Sequence, residues 1–528
     1  MSTAGFSIDG IVYDIIVSWT RMIIALVISI LFSLAIGITA ARNKKAESVI
    51  IPVLDVFQSI PILGFFPIVI LGLEAVAPGF IGLNLAVILL IFTSMSWNIA
   101  FGVYDAVRSI PQDYIDLTQI SGSGTWSRIT SIYIPASLGR IAYNTQTSWA
   151  VGLFYLVSCE ILTLGQTHQT VVGIGAAIYA FASTSNWNGY LYAIIALIIA
   201  VVIWQFVFLR EFAIYSERYK FVEEPRSTRK DPLMKFYSWV NQRSLGKLFL
   251  MTQGRGVTRF SSSLTQFRRG AKYAFALIIL LFVGLEFSAL MNITSEISKL
   301  PSISTILSTE SNVLVALAYS FVRVWYVYFI CVLIALPLGI SIALSSKLYD
   351  AAAPILEVIA SIPAPVLLPV LVVYLNHNSE AVAALIIFLG MFWYIIFNIM
   401  SGVGSLPAEL FELKREFKIS SLQTWRNIYL PATVTAFVTG SITAIGAAWN
   451  TLIVAEYFSY ENNATHQQII YTQVGHGIGK TLFIATTNGD LLTLTLAVVS
   501  MTILIIAFNL TVWRRVYHIT TKRYTYNR

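Results

Sequence analysis

Long apolar runs separated by short polar stretches dominate this 528-residue chain. About 20 consecutive apolar residues make a helix long enough to cross a bilayer. The pattern predicts eleven such helices, over 12–41, 54–77, 82–103, 137–160, 189–209, 273–291, 312–345, 357–376, 380–402, 432–457 and 489–513. A closed barrel would alternate apolar and polar residues over segments of about ten, and the sequence has no such pattern. The expected fold class is therefore an all-α polytopic membrane protein.

Composition agrees with that pattern: 57% of the residues are hydrophobic and 11% charged, against about 25% charged in soluble domains. Cys159 and Cys331 both lie in apolar segments and read as small buried hydrophobes. The first basic residue, Arg21, already lies inside the first apolar run, so no cleavable secretory signal is expected.

Cytoplasmic loops are enriched in Lys and Arg. Loops on one side of the predicted membrane hold 29 of these residues, while the other side holds only Lys299 and Lys480. The expectation is an outside N-terminus and a cytoplasmic C-terminus. Residues 210–272 carry 14 Lys and Arg against 5 Asp and Glu. They read as a basic cytoplasmic linker attracted to anionic headgroups, not as a nucleic-acid site.

The chain also repeats itself. At an offset of 302, Ser18, Arg21, Gly37, Lys45 and Pro52 match Ser320, Arg323, Gly339, Lys347 and Pro354. Ser-Ile-Pro at 59–61 matches the same triplet at 361–363, and Pro67 matches Pro369. At 300, Asn98 and Gly102 match Asn398 and Gly402; at 296, Asp116, Ile132, Pro135 and Glu160 match Glu412, Ile428, Pro431 and Glu456. Six crossings separate equivalent points, so the two copies share one orientation, and the unmatched span 273–291 restores it. The domains expected are 1–210 with five helices, the linker 211–272, and 273–528 with six.

A polar loop recurs between the third and fourth spans of each copy. Pro111 and Pro407 are each followed within two residues by an acid, which suits the first turn of a helix. Apolar residues then return at helical spacing, Tyr114, Leu117 and Ile120 in one copy and Leu410, Leu413 and Phe417 in the other. A short amphipathic surface helix is predicted in each.

These loops resemble the EAA loop of binding-protein-dependent ABC permeases. Asp116, Gly122, Ile132 and Pro135 fit its spacing, as do Glu412, Ile428 and Pro431; Lys418 stands where a second glycine is expected. The Ser-Ile-Pro segments, Arg21 and Arg323, and Ala447-Ala-Trp449 with Ala455-Glu456 resemble the nitrate/sulfonate/taurine group of that family. The resemblance implies two tandem type I (MetI-like) transmembrane domains forming the pore of an importer for a small solute, an anion in that group. It also implies a separate ATPase as a partner, docked on the two loops, and an external solute-binding protein. The chain itself would be a non-catalytic subunit without cofactors. A secondary transporter is the competing class; it predicts coupling charges at the midplane and no loop repeated in both copies.

Ionisable residues inside a membrane are costly and are candidates for function. Arg21 and Arg323 either pair with Glu160 and Glu456 or stay free to attract an anion. A separation beyond about 8 Å in both copies excludes pairing, since charged hydrogen bonds need about 2.7–2.9 Å. Asn98 and Asn398 read as pore-facing groups or interhelical hydrogen bonds, with the second preferred. Gly475-His-Gly-Ile-Gly-Lys-Thr481 is one residue short of a phosphate-binding loop and falls on the expected outer side, so it is rejected. The five histidines show no ligand spacing for a metal. Asn292-Ile-Thr and Asn463-Ala-Thr are sequons on the same expected outer side.

Overall fold

In hydrocarbon every backbone N–H and C=O must find its partner within the protein, and this chain meets that demand almost entirely with helices. A computed structural model describes residues 10–59, 61–120, 124–166, 171–216, 303–375, 377–404, 406, 420–462 and 467–524. Most of the linker, the span expected over 273–291, both sequons, Gly122, Glu412 and the 407–419 part of the second loop lie outside the described residues.

The first half runs α1 (Ile11–Arg42), α2 (Lys44–Ser59), α3 (Ile62–Val76), α4 (Phe80–Arg108), α5 (Gln112–Ile120), α6 (Thr125–Arg128), α7 (Ile134–Gln166), α8 (Ile174–Ser183), α9 (Trp187–Ile203) and α10 (Arg210–Ser216). The second runs α11 (Ile303–Leu344), α12 (Ser346–Ala360), α13 (Leu368–Tyr374), α14 (Ser379–Gly404), α15 (Ser421–Thr424) and α16 (Leu430–Glu456). An antiparallel hairpin follows, β1 (Tyr457–Asn462) with β2 (Gln467–Gln473), and then α17 (Ile478–Thr487), α18 (Leu491–Phe508) and α19 (Arg514–Tyr524).

The repeat seen in sequence is a repeat in packing. Helix α1 lies on α4 and α4 on α7; α11 lies on α14 and α14 on α16. Gly37 and Gly339 hold equivalent places in these contacts. A Cβ at Gly37 would sit 2.8 Å from Val103 Cβ, and one at Gly339 3.0 Å from Ile399 Cγ2, so both α1–α4 and α11–α14 approach closely where side chains are absent.

Among the described residues seven helices are long and apolar enough to cross a membrane, or eight if a pair bent by 78° counts as one. That bent pair, Lys347–Ala360 with Ala364–Tyr374, corrects the straight span expected over 357–376. The span expected over 54–77 is likewise two helices, α2 and α3, parted at Ser-Ile-Pro. Pro61 and Pro363 are extended, with ψ of 102° and 125°, and each starts a new helical segment. Hydropathy misses such a break because both flanks are apolar. Proline is also accommodated at Pro135 and Pro431, where its ring would press on the carbonyl four residues back. One wide π turn precedes each, over Ile129–Tyr133 and Trp425–Tyr429, and Ile134 and Leu430 donate five residues back, to Ile129 and Trp425.

The two halves pack together in one unit, and each contributes its post-proline segment to the other. The Leu63 amide donates to Asn450 Oδ1 of α16 at 3.4 Å. In return Tyr179 and Tyr190 of the first half donate to the carbonyls of Pro365 and Val366, at 2.9 and 2.8 Å. Tyr179 also meets Phe458 of the hairpin edge to face at 4.8 Å.

Candidate functional site

The intramembrane charges come together in two matching buried networks. In the first half Arg21 Nη1 donates to Glu160 Oε1 at 2.8 Å, Nε to Asn84 Oδ1 at 2.7 Å, and Nη2 to the Val172 carbonyl at 2.7 Å. Ser18, one turn before Arg21 on the same face of α1, donates to Glu160 Oε1 at 2.6 Å and accepts from the Ile174 amide at 3.0 Å. The Gly175 amide donates to Glu160 Oε2 at 2.8 Å.

The second half repeats these bonds. Arg323 pairs with Glu456, Ser320 donates to Glu456 at 2.5 Å, and the amides of Ile478 and Gly479 donate to Ser320 and Glu456 at 2.8 and 2.7 Å. Arg323 Nη2 donates to the His476 carbonyl at 3.2 Å. One partner differs. Where Arg21 meets neutral Asn84, Arg323 holds Glu380 through two bonds of 2.8 and 3.0 Å. Both arginines therefore have all three nitrogens engaged, and neither offers an open guanidinium to a solute.

Sequence reasoning missed the element that receives the carboxylates. Residues 173–175 and 477–479 are both Gly-Ile-Gly, at an offset of 304, and open α8 and α17. A Cβ on Gly173 would lie 2.1 Å from Glu160 Oε1, and one on Gly477 2.3 Å from Glu456 Oε2. Only a residue without a side chain leaves room for the acid. Each glutamate then takes an amide of the first turn, where the helix dipole favours negative charge. Self-comparison beyond Glu160 would have found the motif. The second copy does follow a strand and precede a helix, but Ser320 and Glu456 occupy its amides, and Lys480 Nζ donates to the carbonyls of Val474 and Gly475, both at 3.0 Å. No opening is left there for a phosphate.

The first of the repeated loops forms α5 and α6. Tyr114, Leu117 and Ile120 lie along one face of α5 and are 46, 62 and 84% exposed, while Ile115 on the opposite face is buried. Asp116 is exposed and accepts from Gln112 Nε2 at 3.0 Å. Ile132 and Ile428 fall in the two π turns; Pro135 and Pro431 begin the helices after them. Nearby, Arg42 lies over the Tyr133 ring at 4.6 Å and donates to the Val107 carbonyl at 3.1 Å. The Tyr104 hydroxyl, and after it Arg108, holds the Glu47 carboxyl below its ordinary range.

Exposed side chains sort the helices into two kinds. Those along the middle of α1 (Ile16, Val27, Leu31), α9 (Leu191, Ile195, Ile199) and α11 (Leu314, Val322, Phe329, Leu333) are mainly apolar, as a lipid-facing surface requires. Helices α7 and α16 instead expose polar groups: Arg140, Tyr143 and Thr147 on one, Thr439 and Thr443 on the other. Asn98 is exposed and donates to Ser148 of α7 at 3.1 Å, an interhelical bond; Asn398 donates to Tyr394 of its own helix at 2.8 Å.

Two parallel helical halves, each closed by a buried Arg–Glu–helix network and carrying its polar exposed face on one inner helix, define a duplicated polytopic membrane protein. The sequence matches the family described as binding-protein-dependent transport system inner membrane component twice, over residues 29–214 and 335–523, and the chain belongs to that family. It is 31% identical over 148 residues to the nitrate import permease protein NrtB of Leptolyngbya laminosa, covering 28% of this chain and 53% of that protein. The bicarbonate transport system permease protein CmpB of Synechococcus elongatus is 24% identical over 170 residues, 32% of this chain and 57% of its own length. The taurine transport system permease protein TauC of Escherichia coli is 23% identical over 145 residues, 28% and 50%. The chain thus spans about half the length of the curated relatives it matches.

Proposed function

We propose that this chain is the complete membrane pore of an ATP-driven importer for a small anion, with both halves supplied by one polypeptide. The observation that carries the reading is the double family match, one in each half. The relatives' names supply the substrate class, since nitrate, bicarbonate and taurine permeases are all among them.

In this reading ATP hydrolysis belongs to a separate ATPase, and an external binding protein delivers the solute. The domains are 1–210, the linker 211–272 and 273–528. The protein sits in the plasma membrane with its N-terminus outside and its C-terminus in the cytoplasm, as the distribution of Lys and Arg supports. Asp116, Gly122, Ile132 and Pro135, and Glu412, Ile428 and Pro431, form the coupling loops. The exposed apolar row of α5 supports a docking role, because an amphipathic helix lays its apolar face in a partner's groove. ATPase closure then moves α5 as a rigid element and biases the two halves between inward- and outward-open states. The Arg21–Glu160 and Arg323–Glu456 networks hold each half together during that motion.

The test is uptake by cells or proteoliposomes containing the chain with its ATPase and binding protein. Uptake should require ATP, persist when ion gradients are collapsed, and fall at least about tenfold when Leu117 and Ile120 become serine, the loss of one buried apolar contact set. Uptake abolished by gradient collapse and indifferent to ATP would instead identify a secondary transporter.

A further inference from the structure

The polar face of α7 follows one line of the helix. Arg140, Tyr143, Thr147, Val151 and Phe154 recur at the three- and four-residue steps that keep side chains on one side. Their repeat equivalents on α16, at offset 296, are Ala436, Thr439, Thr443, Ala447 and Asn450. At the far ends of these lines both helices meet the opposite half. Asn450, at the end of its line, bonds to Leu63 of the first half. Helix α7 packs against β1 and the 364–367 turn of the second half, and Tyr155, beside Phe154, has Tyr394 as an electrostatic neighbour.

The lines are uncharged except at one place. Arg140 is exposed, and its equivalent is Ala436. Arg21 and Arg323, by contrast, are buried and fully bonded. Asp105 of α4 lies within electrostatic range of Arg140, but among the described residues no carboxylate is within salt-bridge distance of it. An exposed guanidinium on the polar face of a membrane helix, with no carboxylate at salt-bridge distance, raises the local concentration of anions.

We propose that Arg140 is the anion-selecting residue of the translocation path, a single fixed positive charge supplied by the first half alone and aimed at a small anion passing between α7 and α16. The proposal rests on the permease reading for its physiological meaning. The charge and its placement can be tested without the ATPase. Asp105 tempers the field, so the site attracts an anion without trapping it.

The experiment uses the full chain in membrane vesicles, with Cys159 and Cys331 replaced by alanine. The thiol introduced by Tyr143→Cys, or by Thr147→Cys as a second reporter, is titrated with two methanethiosulfonates, an anionic ethylsulfonate and a cationic ethyltrimethylammonium. The anionic reagent should react faster than the cationic one, and Arg140→Gln should lower that ratio by about fivefold, the effect of one charge at roughly 8 Å in a water-filled site on probes of opposite sign. Asp105→Asn should raise it. A ratio unchanged by Arg140→Gln overturns the proposal, as does failure of both charged reagents to label either position. ATP-independent uptake by the unaltered protein would sink the permease reading while leaving the labelling result intact.

Discussion

At the scale of single residues, the two buried networks are the most tightly determined feature of the molecule. Glu160 and Glu456 are fully buried, each bonded to an arginine, a serine and a backbone amide. Removing one member of such a pair leaves the other charge stranded, at a cost of about 3–5 kcal/mol. Glu160→Ala and Glu456→Ala should therefore each lower the thermal midpoint of the purified chain substantially. Glu380 also bonds Arg323 but is 53% exposed, so Glu380→Gln should cost only about 0–1 kcal/mol. Equal losses at Glu380 and Glu456 would show that solvent, not the fold, compensates the arginine.

Helices and loops supply the next level, because the networks exist only where α8 and α17 begin against them. Gly173→Ala puts a methyl where the Glu160 carboxylate lies, and should destabilise by an amount comparable to Glu160→Ala. In a Glu160→Ala background the same change should cost little, a coupling of the size that double-mutant cycles detect between touching groups. Additive losses would mean that the glycine serves some other need.

Much at this scale could be read from sequence. Helical class, the repeat, and the matched Arg and Glu positions came from spacing alone. The Gly-Ile-Gly motif is visible too, but its second copy reads as a phosphate-loop lookalike. The breaks at Ser-Ile-Pro were hidden by apolar flanks on both sides. The hairpin Tyr457–Gln473 accounts for the change of repeat offset from 296 at Glu456 to 304 at Gly477, a shift that an alignment gap marks without revealing what fills it. Which helix faces lipid and which faces its twin is a tertiary matter. The polar line of α7 lowers its hydropathy without saying where that line points.

For the whole molecule the consequence of duplication is stoichiometric. In the importer proposed above, homologous halves on one chain would remove the need for a second membrane subunit, and two docking loops would call for two ATPase copies. Interlocking through Leu63 to Asn450 and through Tyr179 and Tyr190 to residues 365 and 366 further predicts that the halves do not exchange between molecules. Differently tagged copies of the chain, co-expressed, should not co-purify. Recovery of mixed-tag pairs would point to an obligate dimer.

Native mass spectrometry of the chain isolated with its ATPase tests the central claim most directly. The account predicts one copy of this polypeptide with two ATPase subunits, a ratio lost when Leu117→Ser and Ile120→Ser are combined. Two copies of the chain per complex, or a chain that carries no ATPase at all, would contradict it.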